Sequence, residues 1–227
     1  MKQKQFKIRS SASGQIMGVK GLGKTGLTYC QNWLKEQIYN RKKEFTNKYV
    51  QKGLIMEDNS LDFVADQLGF GMLLKNETYF ENDYITGTPD IVLKDLIIDV
   101  KNSWDVFTFP LFESEISLNH DYYFQAQCYM DICNIDKYKL IYVISDTPRH
   151  LIIAEAKRYM WQSGIEELDN ELFEDFHKKM TYSDVSANLK IKVFEIGRDK
   201  DIIDKIYSRV QECRDYIDGL KTLYELN

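Results

Sequence analysis

Between Gly87 and Lys101 the chain reads Gly-Thr-Pro-Asp-Ile-Val-Leu-Lys-Asp-Leu-Ile-Ile-Asp-Val-Lys, and this stretch limits the fold more than any other. Two apolar runs, Ile91–Leu93 and Leu96–Ile98, flank the polar pair Lys94-Asp95, as in a two-residue hairpin turn. Pairing about that turn sets opposite each other residues whose numbers add to 189, so Asp90 faces Asp99. Their Cβ atoms would lie roughly 4.5–5.5 Å apart. The side-chain period of two then puts Lys101 on the same face as Asp99.

Two carboxylates this close on apolar strands repel unless something compensates. A hard divalent cation does so, because Mg2+ prefers carboxylate and water oxygens, and the Val100 carbonyl offers a further neutral oxygen. Lys101 beside such an ion could position or deprotonate a water, or stabilise charge developing on a phosphate. The alternative is structural: Asp90 is a turn-side aspartate and Asp99 an exposed residue at a strand end. The position of Lys101 and the apolar interleaving favour the metal site.

Around the hairpin the periodicity predicts helix over about Thr28–Val50, with Trp33, Leu34, Ile38 and Phe45 on one face and Gly53 as its break. A second helix is expected over Glu57–Leu68, stopped by Gly69 and Gly71. Strands are expected at Met72–Glu81, Asp90–Leu93, Leu96–Val100, Lys139–Ile144 and about Ile191–Ile196. Helices are expected at about Asp121–Cys133, Arg149–Gln162, Ile165–Met180 and Lys200–Leu226. There is no internal repeat and no linker. The order predicts a single α/β domain over residues 1–227, a mixed central β-sheet with helices on both sides. Within it, residues 1–52 form a basic N-terminal region, 53–145 the core and 146–227 a C-terminal set of helices and a strand.

The net charge of −5 would by itself argue against a polyanionic partner. Its distribution argues otherwise: residues 1–52 carry a net +10 and residues 53–227 a net −15. Such a basic block is a footprint for nucleic acid, although like-charge blocks are also often solvated faces. Cys30, Cys128, Cys133 and Cys213 form no CxxC pair, and His120, His150 and His177 stand alone, which excludes a zinc or iron–sulfur framework. With no apolar segment after Met1 and no run long enough for a bilayer, a cytoplasmic protein with reduced thiols is expected.

The pattern Pro89-Asp90…Asp99-x-Lys101 resembles the core of the PD-(D/E)xK nuclease superfamily. Two more motifs narrow the resemblance to its lambda-exonuclease, YqaJ-like branch of viral alkaline exonucleases. Lys52-Gly53-x-x-x-Glu57 is similar to that branch's glutamate motif, and Tyr122-Tyr123-x-Gln125-x-Gln127-x-Tyr129 to the helix motif that follows its core. The three span about residues 52–130, in the family's order. The resemblance implies a restriction-endonuclease-like sheet with flanking helices. It further implies metal ligation by Asp90, Asp99, the Val100 carbonyl and Glu57, with Lys101 as the catalytic lysine. Gln125, Tyr129 and Thr88 would lie near DNA or its 5′-terminal phosphate. So would Ser11, Ser13 and Arg9, because Ser11-Ala12-Ser13 resembles the branch's Thr-Ala-Ser element; Arg9 stands closer to Ser13 than the family's phosphate-binding arginine would. Asp99 replaces the branch's glutamate. The activity implied is a Mg2+-dependent 5′-to-3′ exonuclease on linear duplex DNA ends, serving phage-type recombination. It would use one or two ions, with Mn2+ as substitute, in bacterial or phage-infected cytoplasm. A homotrimer and a single-strand annealing protein are the implied partners.

Each assignment has a plainer rival. Glu57 is also a favourable acid for a helix's first turn, and Gln125, Tyr129, Ser11 and Ser13 also suit packing or loop roles. Trp104, Phe107 and Phe109 could stack on an unpaired base, although such aromatics more often belong to the core. A competing motif, Gly18-Val19-Lys20-Gly21-Leu22-Gly23-Lys24-Thr25, matches the P-loop pattern in full. A P-loop also needs a buried strand leading into its first glycine, and the polar, small residues Arg9–Gln15 make a poor one. Two other classes therefore stay open, a P-loop ATPase and a nuclease-inactive protein that binds DNA ends, with Lys20 and Lys24 as candidate backbone contacts.

Overall fold

The hairpin forms about the expected turn. The computed structural model, which describes residues 5–44, 46–117 and 120–226, pairs Ile91 with Ile98 and Val92 with Ile97, the register whose numbers add to 189. Leu93 N–H closes the turn on the Leu96 carbonyl at 2.9 Å. These strands are β4 (Ile91–Val92) and β5 (Ile97–Ser103). β6 (Lys137–Ile144) runs parallel to β5, and β7 (Ile191–Gly197) runs antiparallel to β6, giving a sheet of order β4-β5-β6-β7.

The mixed sheet with helices on both sides is present, but the strands divide into two sheets rather than one. β1 (Ile8–Arg9), β2 (Phe80–Glu81) and β3 (Ile85–Gly87) form a second, three-stranded sheet of order β1-β3-β2. Thr88-Pro89-Asp90 joins the two, and Pro89, which has no N–H to give to a ladder, sits at the join. Asp90 thus lies where one sheet ends and the next begins.

The helices cover the four-stranded sheet from opposite sides. α3 (Asp121–Cys133) packs against Ile97, Tyr138, Leu140 and Phe194 on one face. α2 (Lys48–Leu68) lays Leu61 and Val64 on Ile98, Ile141 and Val143 on the other. α1 (Gly23–Tyr39) and α6 (Lys200–Leu223) close over α3, with Cys30, Leu34, Ile206, Val210 and Cys213 in the same core. α4 (Arg149–Ser163) and α5 (Asn170–Met180) form a hairpin whose Leu151, Ile152 and Met180 enclose Trp104. The C-terminal region, which carries no recognised motif, braces the rest of the fold. Arg214 on α6, for example, donates to the carbonyls of Phe6 and Asp83 and ties down the three-stranded sheet.

Three sequence expectations need correction. The helix expected over 28–50 ends at Tyr39, because Asn40 takes a left-handed cap (φ 48°). Helix resumes at Lys48 under the Asn47 cap, whose side chain accepts from Val50 N–H, so α2 begins nine residues ahead of Glu57. Gly53 does not break α2, since a Cβ there would meet nothing within 4 Å and helix packing makes no demand on it. Phe45 lies outside the described residues. The strand expected over 72–81 shrinks to Phe80–Glu81. Ahead of it, Asn76 donates its side-chain amide to the Thr78 and Pro89 carbonyls, giving the backbone a substitute for a ladder.

The P-loop-like segment lacks its strand, as its polar lead-in residues predict. β1 ends at Arg9 and a 3₁₀ helix over Ser10–Ile16 follows, so no strand delivers Gly18. The Gly18 carbonyl instead accepts from Arg209 of α6 at 3.1 Å. α1 does start at Gly23, beside Lys24 and Thr25, but a helix start alone is only half of a P-loop.

Candidate active site

Asp99 is fully buried in the middle of β5, a position its charge tolerates only because donors surround it. Lys101 Nζ lies 2.7 Å from Asp99 Oδ1, two residues along the same face. On Oδ2, the Tyr138 hydroxyl donates at 2.8 Å and Gln125 Nε2 at 3.4 Å. Asp90, one residue beyond the β4–β5 ladder, forms a hydrogen-bonded carboxyl pair with Asp99.

The pair splits in its affinity for protons. Burial first, and the neighbouring Asp99 charge second, push the Asp90 carboxyl up to about 8. Asp99 is held below the usual carboxylate range: burial opposes ionisation, but Lys101, Asp90 and Tyr138 together overcome it. Lys101 is held charged, because attraction to Asp99 and Asp90 outweighs its desolvation. Its ammonium also lies 5.0 Å from the Tyr122 ring centroid, which gives the first tyrosine of the α3 motif a definite contact.

Glu57 projects from α2 and is ion-paired with Lys75 at 2.6 Å. The Glu57 charge helps raise the Asp90 carboxyl and the Asp90 charge helps raise Lys75, so all three sit in one electrostatic neighbourhood. Among the described residues no three His, Cys, Asp or Glu side chains converge into a ready ligand cage. Mg2+ does not require one; it commonly takes one or two carboxylates and completes its shell with water and phosphate. The donor set fits such an ion: two adjacent carboxyls, Asp90 and Asp99, share one electrostatic neighbourhood with Glu57.

On the other side of the site, Tyr129 donates to the Thr88 carbonyl at 3.2 Å and shares a hydrogen bond with Gln125. Gln125 therefore stands between Tyr129 and Asp99, buried, with its amide engaged on the carboxylate. Ser10, which carries no sequence assignment, donates to the Thr86 carbonyl at 3.0 Å and packs against Gly87. Ser11 and Thr88, the next residue after each, are both exposed. Ser13 is fully buried, with its hydroxyl given to the Ser10 carbonyl at 2.8 Å, so it is not presented to a phosphate. A 3₁₀ turn must put some of its residues inward, and Ser13 is one of these. Arg9 is also displaced from its expected place, since its guanidinium hydrogen-bonds Tyr29 of α1. Val100 lies in the parallel ladder opposite Ile141, with its side chain against the α2-side core.

Two contributors escaped sequence reading. Tyr138 is one of two tyrosines in β6, and only the parallel pairing of β6 with β5 brings it to Asp99. Lys75 lies in an irregular segment with no periodic signal. Of the aromatics after the hairpin, Trp104 and Phe109 are core, while Phe107 is 93% exposed.

No protein-family model matches the chain, and no curated protein matches it in sequence. Solved structures do match its fold. A phage-related exonuclease from Haemophilus somnus 129PT superposes with a TM-score of 0.79 at 26% identity, over 97% of this chain and 97% of that one. An alkaline exonuclease from Laribacter hongkongensis, also solved in complex with dAMP, gives a TM-score of 0.64 at 13% identity, over 96% of this chain and 93% of that one. The chain has the architecture of these exonucleases throughout. The likeness first read in residues 52–130 thus extends across the fold.

Proposed function

We propose that this chain is a Mg2+-dependent deoxyribonuclease that digests linear duplex DNA from its 5′ end, in the service of phage-type recombination. The observation that carries the reading is the pairing of half-buried Asp90 with fully buried Asp99, to which Lys101 is bound at 2.7 Å. The shared architecture with phage-related and alkaline exonucleases supports the exonuclease mode. Direction, metal and biological role follow from the motif resemblance.

Asp90, Asp99 and the Val100 carbonyl would hold the ion, with Glu57 acting directly or through water. When bound, Mg2+ supplies Lewis-acid polarisation of the scissile phosphate and of an attacking water. Mn2+ would substitute, and a second ion has Glu57 to draw on. The protein's own groups do the rest. Tyr138 and Gln125 fix the orientation of the Asp99 carboxylate. Lys101, kept charged, stabilises the negative charge that builds on the phosphate. Ser11 and Thr88, both exposed, would offer hydroxyls to a 5′-phosphate, and the exposed Arg41–Lys43 loop would offer charge to the backbone. The expected working form is a homotrimer in bacterial or phage-infected cytoplasm, with a single-strand annealing protein as partner. Among the described residues no helix is long and apolar enough to cross a membrane.

The test is incubation of linear duplex, with and without a 5′-phosphate, in Mg2+, Mn2+ or chelator, each with and without ATP. Metal-dependent, phosphate-stimulated and ATP-independent loss of DNA from the 5′ ends is expected, with closed circles untouched. A gel shift without cleavage under any metal would overturn the reading, and ATP turnover would point to the Gly18–Thr25 loop instead.

A further inference from the structure

The proposed site uses Glu57 from α2 and Asp99 and Lys101 from β5, two elements that meet through an apolar face. Apolar packing alone sets their separation loosely, because it is non-directional. Two buried polar ties cross this interface, and they bracket Glu57. Before it on α2, Lys52 is 1% exposed and donates through Nζ to the Trp104 carbonyl at 2.9 Å. After it, the Ser60 hydroxyl donates to Asn102 Oδ1 at 2.7 Å, and the same oxygen accepts from Ser145 of the segment after β6 at 2.9 Å. Asn102 and Trp104 both follow Lys101 closely in the chain, so both ties grip the end of the strand that bears the carboxylate and lysine.

Lys52 is a costly way to make a structural contact. Its ammonium is enclosed by the rings of Trp104 and Tyr182, each with its centroid at 5.8 Å, and has no carboxylate within ion-pair distance among the described residues. A methionine or leucine would fill that space without desolvating a charge. An ammonium supplies something they lack, a directional bond to one carbonyl.

We propose that Lys52 is a positioning residue for metal binding: it locks α2 to the end of β5 and thereby holds the Glu57 carboxylate at a fixed distance from Asp90 and Asp99. Ser60 with Asn102 is the second, weaker lock. The inference rests on the metal site proposed above and adds to it a residue that touches neither metal nor DNA.

The test is direct Mn2+ binding by calorimetry on the full chain, with thermal unfolding recorded in parallel. K52M is expected to weaken Mn2+ about tenfold, the usual effect of losing an outer-shell support. S60A, a milder change, is expected to weaken it roughly threefold. The deciding measurement is the cycle of K52M, E57Q and the double variant. If Lys52 acts through Glu57, the double variant binds Mn2+ no more weakly than E57Q alone. Losses that simply multiply would overturn the proposal, as would unchanged Mn2+ affinity in K52M. Should K52M fail to fold, unchanged affinity in S60A would overturn it equally. D90N separates the two levels: if D90N binds Mn2+ like the native chain, the metal site itself is wrong and Lys52 falls with it.

Discussion

Tyr129 lies so close over Gly87 that a β-carbon built on the glycine would fall 2.6 Å from Tyr129 Cε1 and 2.7 Å from Ser10 Oγ. The aromatic ring can therefore reach the backbone just ahead of Asp90 and donate to the Thr88 carbonyl. Gly87→Ala should push ring and strand apart, costing about 1–3 kcal/mol through overpacking. Because the displaced strand leads to Asp90, cleavage should fall more than stability does. Denaturant unfolding beside a rate measurement checks this, and a stable, fully active G87A would contradict it.

Asp90→Asn keeps a hydrogen-bonding side chain opposite Asp99 but can no longer ionise. An acid whose affinity for protons is raised by folding loses stability as pH climbs from its ordinary range toward about 8, so at neutral pH Asp90 works against the metal-free fold. D90N should stabilise that form by about 2–4 kcal/mol at pH 7 and abolish cleavage. Urea unfolding in chelator and in Mg2+ tests both halves. The native chain should gain stability from Mg2+ and D90N should not.

Lys52 titrates in the opposite sense. Burial lowers its amine to about 8, against the charges of Asp105 and Asp146, whereas in the unfolded chain it keeps its ordinary value. Between about pH 8 and 10.5 the unfolded state holds the extra proton, so stability contributed at this site rises with pH by about 3 kcal/mol. Lys52→Met should remove that rise. Unfolding free energies of both proteins at pH 7.5 and 10.5 give the difference, and parallel curves would refute the assignment.

The loop between α1 and α2 carries Arg41, Lys42 and Lys43 in full exposure. Reversing Lys42 and Lys43 to Glu should weaken duplex binding for every sequence alike. The slope of log affinity against log salt should fall by about 1 for each phosphate that the loop no longer neutralises. An unchanged slope would remove this loop from the DNA footprint.

The parts of the fold legible in the sequence were those where a short-range rule and the tertiary structure agree. The Lys94-Asp95 turn admits one register, so the pairing of Asp90 with Asp99 follows from the residue order alone. α3 was legible to the residue, because His120 caps its start and Asn134 turns left-handed at its end. Less was legible where the decisive contact is long-range or the element very short. β1 and β3 hold two and three residues, too few to show alternation. Nothing in Ser11-Ala12-Ser13 tells which serine turns inward, and nothing in Lys137–Ile144 marks Tyr138 as the donor to Asp99. Gly53 misled because a glycine weakens a helix by only about 1 kcal/mol, less than the packing of α2 restores.

Every carboxylate of the proposed metal site already has a partner within the protein: Lys101, Tyr138 and Gln125 on Asp99, Asp99 itself beside Asp90, Lys75 on Glu57. A divalent ion binding there would compete with resident lysine cations rather than fill a void. Under the function proposed above, folding would then not wait on the ion, and the supply of free ions would govern only the chemistry. For a nuclease of the kind proposed, assembly and armament would be separate events.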